Sequence, residues 1–412
     1  MTTLVVVVVA AAVFGWGALS ARLERADLTA PIVFVAVGVL IAVTMPLEGR
    51  PEPAVLRLLT EVTLVWVLFS DAAKVGLREL RADAGTYARL LGVGLPLTVV
   101  LGWLAALAIL PGVDGWLALL VGAALAPTDA ALGAAVINDR RVPARIRGIL
   151  NVESGLNDGI VTPVVLIALA GVASEGDEAH GLSRAAVELL VGVAAGSVVG
   201  GAGGGLISMA RRRGWVDEEF AGPAVLALAL LAYAGAVLVH GNGFVAAFVA
   251  GIAFGALAGR GGPRTVFYVE QSAGLASLLV WTLFGAVAVP LVVHVGGWRL
   301  ALYALLSVTV VRMLPVALVL VGSGLGARAA LFIGWFGPRG LASVVFGLLA
   351  VEDLGGRADP AVAAIATTVL LSVVVHGVTA GPLAARFAAG YRPGGSAAVA
   401  TPSRTGDAPH GA

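Results

Sequence analysis

The chain has 412 residues, 59% of them hydrophobic and 12% charged, with a mean hydropathy of +0.98 and a net charge of +1. Soluble domains carry roughly 25% charged residues. Half that share, with repeated apolar runs near ~20 residues, excludes a soluble globule and predicts an all-α polytopic membrane protein. So even a balance carries no electrostatic footprint for nucleic acid, and the lack of cysteine excludes disulfides and thiolate metal sites.

Broken at its polar and Gly/Pro clusters, the sequence predicts about thirteen spans, at 3–18, 31–46, 55–70, 88–110, 116–137, 148–172, 185–209, 222–239, 244–259, 272–293, 299–321, 327–350 and 360–384. The first run has no basic residue ahead of it and Arg22 and Arg25 behind it. Those flanks are the reverse of a secretory signal, so it reads as a retained span. Only HGNG (240–243) separates spans eight and nine, and a tight turn is preferred there to one long kinked helix. With the N-terminus placed outside, the inside loops hold nineteen basic residues, among them the single lysine Lys74, against five outside. This positive-inside bias puts the C-terminus in the cytoplasm. The Pro/Gly/Ser/Ala-rich stretch 389–412 reads as a disordered cytoplasmic tail.

The polar residues inside the spans carry the functional signal. Glu61 lies mid-span in span three, where packing against a polar neighbour and a function are both open, and Asp71 in FSDAAK is either a guard at the cytoplasmic mouth or a solvated helix end. Span five contains APTDA near its middle. Pro127 cannot donate a backbone hydrogen bond and disfavours helix just before it. A break there frees carbonyls beside Thr128 and exposes Asp129; the plainer reading is a proline kink with Asp129 as a local cap.

Span six reads NVESGLNDGIVTP, and Glu153, Ser154, Asn157 and Asp158 fall on one helical stripe about 140° wide. On translocon-based scales a charged residue at the bilayer centre costs about 2.5–3.5 kcal/mol, so two carboxylates demand a use. Carboxylates, amide carbonyls and hydroxyls suit hard cations, whereas a polar seam joining helices is the alternative. Arg312 in span eleven needs a carboxylate partner. Glu153 is the candidate, which leaves Asp158 for an ion.

GPRG (337–340) interrupts span twelve, where Arg339 is placed to neutralise the partial charges of broken helix ends. Spans five and twelve are the middle members of two three-span groups set seven spans apart, hence oppositely oriented. Paired interruptions of this kind point to a secondary-transporter site. His240, His294 and His376 read as structural, and no phosphate-binding glycine loop with its lysine occurs, which argues against an ATP-driven pump.

With PTDA, ESGLNDG, Arg312 and GPRG in this order, residues 3–388 resemble the NhaP/NHE-type sodium/proton antiporters, bacterial members of the monovalent cation:proton antiporter family. The resemblance implies a transmembrane domain over 1–388 with inverted repeats and two crossing broken helices. Spans 4–6 and 11–13 (about 88–172 and 299–388) would form its core and the remaining spans a dimerisation scaffold. It implies that Asp158 is the main ion and proton carrier. Asp129, Thr128 and Ser154 would be further Na⁺ ligands beside Asn157, and Glu153 would pair with Arg312. An Asn157–Asp158 pair, rather than two aspartates, is similar to the electroneutral branch that exchanges one cation per proton. The family further implies a homodimer in the bacterial inner membrane, with Na⁺, or Li⁺ or K⁺, and H⁺ as its partners, and no cofactor.

Two departures stand out. Ala130 takes the place of the family's usual proline after the aspartate, which shifts the unwound segment, and Pro338 replaces a common leucine. The competing functions are K⁺/H⁺ exchange, a passive channel and, from a different class, a membrane-embedded aspartyl hydrolase built on Asp129 and Asp158.

Overall fold

A computed structural model describes residues 2–24, 28–44, 53–173 and 178–390, and every regular element among them is helical. In chain order the main helices are α1 (Thr2–Glu24), α2 (Ala30–Thr44), α3 (Pro53–Lys74), α4 (Ala84–Ile109) and α5 (Gly115–Ala124). They continue with α6 (Ala144–Ala173), α7 (Glu178–Arg212), α8 (Glu218–Leu238), α9 (Gly243–Leu257) and α10 (Gly262–Val295). The last four are α11 (Trp298–Val319), α12 (Gly326–Trp335), α13 (Leu341–Leu354) and α14 (Asp359–Gly390).

Eight described segments are long and apolar enough to cross a membrane, and α2, α5 and α9 are shorter apolar helices. The thirteen expected spans are therefore apolar segments rather than thirteen helices of full membrane length. The HGNG stretch is a turn: α8 ends at Leu238, His240 takes φ 57°, and the Asn242 side chain caps α9 by accepting the Val245 N–H at 3.0 Å. The final helix runs to Gly390, two residues past the expected boundary. The rest of the expected tail, 391–412, lies outside the described residues, as do Arg25 and Arg50.

Small residues set the closest packing. Gly192, Gly196 and Gly200 recur every four residues on α7 and press onto α9, where a β-carbon would collide with the backbone of Asn242, Ala246 and Ala250. With no hydrophobic drive between helices in lipid, backbone approach of this kind supplies the contact energy. The apolar stretch of α1 buries nothing, and Leu190 and Val198 of α7 are exposed.

A repeat is visible in the remaining helices. A π-bulge interrupts α4 at Leu90–Gly94 and α11 at Ser307–Val311. The next helix in each group stops short, α5 at Ala124 and α12 at Trp335, and each group closes with a long helix, α6 or α14. The groups interlock: α14 packs on α5, and α13 packs on α6. Against this unit lie α3, touching α6 and α13, and α10, touching α13 and α14.

Candidate functional site

The first interruption starts where α5, capped by the Asp114 carboxylate on the Leu117 N–H at 2.8 Å, ends at Ala124. Residues 127–129 have no regular secondary structure, and turns follow up to a short helix at Ala134–Ile137. The Asp129 N–H donates to the Pro338 carbonyl at 2.9 Å, so the two interruptions are bonded directly to each other. Its carboxylate accepts the Leu341 N–H of α13 at 2.9 Å on one oxygen and the Ala131 and Leu132 N–H groups at 2.7 and 3.2 Å on the other. Asp129 thus caps the positive end of α13 and accepts from a turn that follows the first break. The local cap that competed with a ligand role in the sequence is present and reaches across to the second break.

The second interruption spans 336–340. Arg339 is fully buried there; its guanidinium donates to the carbonyls of Gly337 at 3.0 Å and Ser307 at 3.3 Å, and its backbone N–H donates to Ser372 Oγ at 2.7 Å. Among the described residues it forms no ion pair with a carboxylate. Its charge falls at the C-terminal, negative end of α12. His376 completes that end: Nε2 lies 2.8 Å from the Trp335 carbonyl and Nδ1 3.0 Å from Ser372 Oγ, a structural placement. The glycines of GPRG leave room for side chains. A β-carbon on Gly337 would run into Arg312 and Thr128, and one on Gly340 into the Asp129 carboxylate.

The middle of α6 meets the first break. Glu153 Oε1 and Arg312 Nη1 form an ion pair of 2.6 Å with both side chains at most 3% exposed. Ser154 Oγ lies 2.9 Å from Thr128 Oγ1, and Asn157 Nδ2 donates to the same hydroxyl at 2.7 Å. Asp158 is 8% exposed, and its Oδ1 is buried with no hydrogen-bond partner in the protein; Asn157 Oδ1 is in the same state. The charges of Asp71 and Asp129 act on Asp158. A buried carboxylate oxygen without a donor is costly unless a proton or a cation meets it. Hydroxyl, amide and carboxylate oxygens therefore gather at one crossing, a donor set for a hard cation.

The structure brings Thr128, Asp129, Ser154, Asn157, Asp158, Glu153, Arg312 and Arg339 into one region and leaves Asp71 at its edge, paired with Lys74 at 2.9 Å. Glu61 acquires a partner in Arg57 at 2.9 Å, and Arg57 also approaches Glu352 at 3.4 Å and Asp353 at 3.6 Å. Sequence reasoning missed Ser343, whose hydroxyl donates to the Ala124 carbonyl at 2.6 Å and closes the end of α5. It also missed Ser372. Single serines in apolar helices give no signal of which distant carbonyl or amide they serve.

A helical bundle in which two interrupted helices meet back to back, with buried charges at the meeting point, is the architecture of a secondary transporter. The family model for the sodium/hydrogen exchanger, transmembrane, matches residues 8–386, and the chain belongs to that family. It is 30% identical to the K(+)/H(+) antiporter NhaP of Alkalimonas amylolytica over 80% of this chain and 57% of that protein. It is 28% identical to the Na(+)/H(+) antiporter 2 of Zygosaccharomyces rouxii over 60% of this chain and 32% of that protein. The chain thus spans about three fifths of the length of the first of these relatives and about a third of the second. Its fold is that of the sodium proton antiporter MjNhaP1 from Methanocaldococcus jannaschii, with a TM-score of 0.75 at 18% identity, covering 94% of this chain and 99% of that one. These relatives are antiporters and not enzymes, which removes the hydrolase reading.

Proposed function

We propose that the chain exchanges a monovalent cation for a proton across a bacterial inner membrane by alternating access, with Asp158 carrying either one but never both. The observation that carries this reading is the buried, unpartnered Oδ1 of Asp158 beside the hydroxyls of Thr128 and Ser154. Asp158, Ser154 and Thr128 form the cation's contacts, with the remaining lone pair of Asp129 as a further ligand. Asn157 holds Thr128 in place. Because Asn157 brings no second charge, the cycle is 1:1 and electroneutral.

Glu153 and Arg312 are a structural pair, and Arg339 compensates the broken helix ends. Asp71 stands at the cytoplasmic mouth, with the N-terminus outside and the C-terminus cytoplasmic. The core, α4–α6 with α11–α14, moves against a scaffold of the remaining helices, and the unburied faces of α1 and α7 pair two copies into a homodimer within the lipid bilayer. Na⁺ is the proposed cation. A K⁺ reading has its own support in the name of the Alkalimonas relative.

Proteoliposomes with an imposed pH gradient and an internal pH dye test this. Dequenching on addition of Na⁺, and its absence in Asp158→Asn, is the expected result; dequenching by K⁺ alone moves the assignment to K⁺. Full exchange in Asp158→Asn would sink the mechanism.

A further inference from the structure

Lys74 is the one lysine of the chain. It lies in the last turn of α3, between carboxylates on two different helices. Its Nζ is 2.9 Å from Asp71 Oδ1, one turn back on α3, and 3.1 Å from Glu270 Oε1 on α10. The two acids differ in setting. Asp71 is 25% exposed and Glu270 44%. On its inner side Asp71 borders the site: its carbonyl is 3.5 Å from where a β-carbon on Gly155 would lie, next to Ser154, and its charge acts on Asp158. The ammonium therefore bridges two acids in the structure, one that borders the site and a second, more solvated one, and can shift toward either.

We infer that Lys74 is a tethered competitor that sets the apparent cation affinity of the site. On Asp71 its ammonium neutralises the carboxylate an arriving cation would meet; parked on Glu270 it leaves that carboxylate free. Ammonium and transported cation carry the same single charge, so the exchange on Asp71 is one for one. A lysine suits the task because its compact charge sits on a flexible four-carbon stem. Partly exposed ion pairs are also weak, so moving between two of them is cheap. Arginine suits it less, since its planar, bidentate fork is held more rigidly on a carboxylate than a single ammonium is. The plainer alternative is that Lys74 only ties α3 to α10, which already pack along each other.

The inference rests on the antiport reading, and the sign of the KM shift in proteoliposomes separates it from the plain tie. Lys74→Met should lower the apparent cation KM by about threefold, the scale of one exposed pair. Glu270→Gln removes the parking place and should raise KM by a similar factor, while the double variant should follow Lys74→Met. A tie between helices would shift both single variants in the same direction, or not at all, and either result overturns the proposal.

A second readout needs no transport. Reductive ¹³C-methylation preserves the charge and places a label on the only lysine side chain. Saturating Na⁺ or K⁺ should move the Lys74 methyl signal toward its position in Asp71→Asn. A signal unmoved by either cation overturns the competitor role. A moving signal in wild-type protein that exchanges nothing overturns antiport and leaves cation displacement of Lys74 standing.

Discussion

The interruption after α5 and the middle of α6 each place an aspartate at the same crossing, and the two aspartates are treated oppositely. Asp129 accepts three backbone N–H groups, two from the turn after the break and one from the start of α13. Asp158, on an unbroken stretch of helix, has every nearby backbone N–H committed to the helix ladder, and its Oδ1 meets no donor. Glu153, five residues earlier on α6, shows a third treatment, an ion pair with Arg312. A broken helix supplies free N–H groups that occupy a carboxylate's oxygens, whereas a continuous helix has none to give. The carboxylate left without donors is the one we propose to trade a proton for a cation.

The comparison makes its largest demand on the two aspartates themselves. Asp158→Asn should abolish exchange while the protein still inserts. Asp129→Asn should retain exchange at a raised cation KM, since an amide oxygen keeps part of the cap, and should also lower thermal stability. Equal loss from both would erase the distinction.

Arg312 tests the paired carboxylate. Removing one partner of a buried ion pair typically costs about 3–5 kcal/mol, so Arg312→Ala should unfold many degrees earlier on heating. Adding Glu153→Gln should recover much of the loss, because Glu153 Oε1 would no longer be an orphaned charge. Strictly additive losses would show that the two do not interact.

Gly340→Ala sharpens the case of Asp129. Its β-carbon would occupy the place of the Asp129 carboxylate, and overpacking of this kind costs roughly 1–3 kcal/mol. The expected outcome is lost stability that Asp129→Asn does not add to. Full additivity would mean that Asp129 leaves Gly340 undisturbed.

The smallest effect belongs to an ordinary carboxylate outside the spans. Asp83 accepts from Arg145 at 2.6 Å, a bond that holds its carboxyl below the usual carboxylate range, with the Thr86 hydroxyl adding to it against the opposing effect of burial. A depressed pKa stabilises the fold above the unfolded value of about 4 and loses that contribution as pH falls through the folded value. With Arg145 half exposed, the pair is worth about 0.2–1 kcal/mol. Thermal melts of Asp83→Asn should therefore differ slightly from wild type at neutral pH, begin to converge with it below about pH 4, and meet it only once the pH passes the depressed folded value. A gap that persists in acid would show that the ion pair is not the cause.

Much of this site was legible before any coordinates. The stripe on α6 followed from helical periodicity, and the partner of Arg312 followed from the cost of an unpaired charge in lipid. The breaks were marked by Pro127 and by GPRG. What the sequence withheld was the donor count. Two of the donors to Asp129, Ala131 and Leu132, are local, but the third, Leu341, lies more than 200 residues away, and no local pattern encodes that register. The partners of Arg57 divide the same way: Glu61, four residues on, was within reach of helical periodicity, while Glu352 and Asp353 come from another helix altogether. Lys74 was visible only as the single lysine, since its second acid lies on α10.

The central claim is that one group, Asp158, serves both substrates. The most direct measurement is the apparent cation KM of wild-type protein in proteoliposomes as a function of pH, with the gradient held fixed. Mass action on a shared carboxylate predicts that KM rises about tenfold for each unit of acidification once protons dominate the site, with little change in maximal rate. A KM that stays flat while the maximal rate falls would mean that proton and cation bind at separate groups, and the account would be wrong.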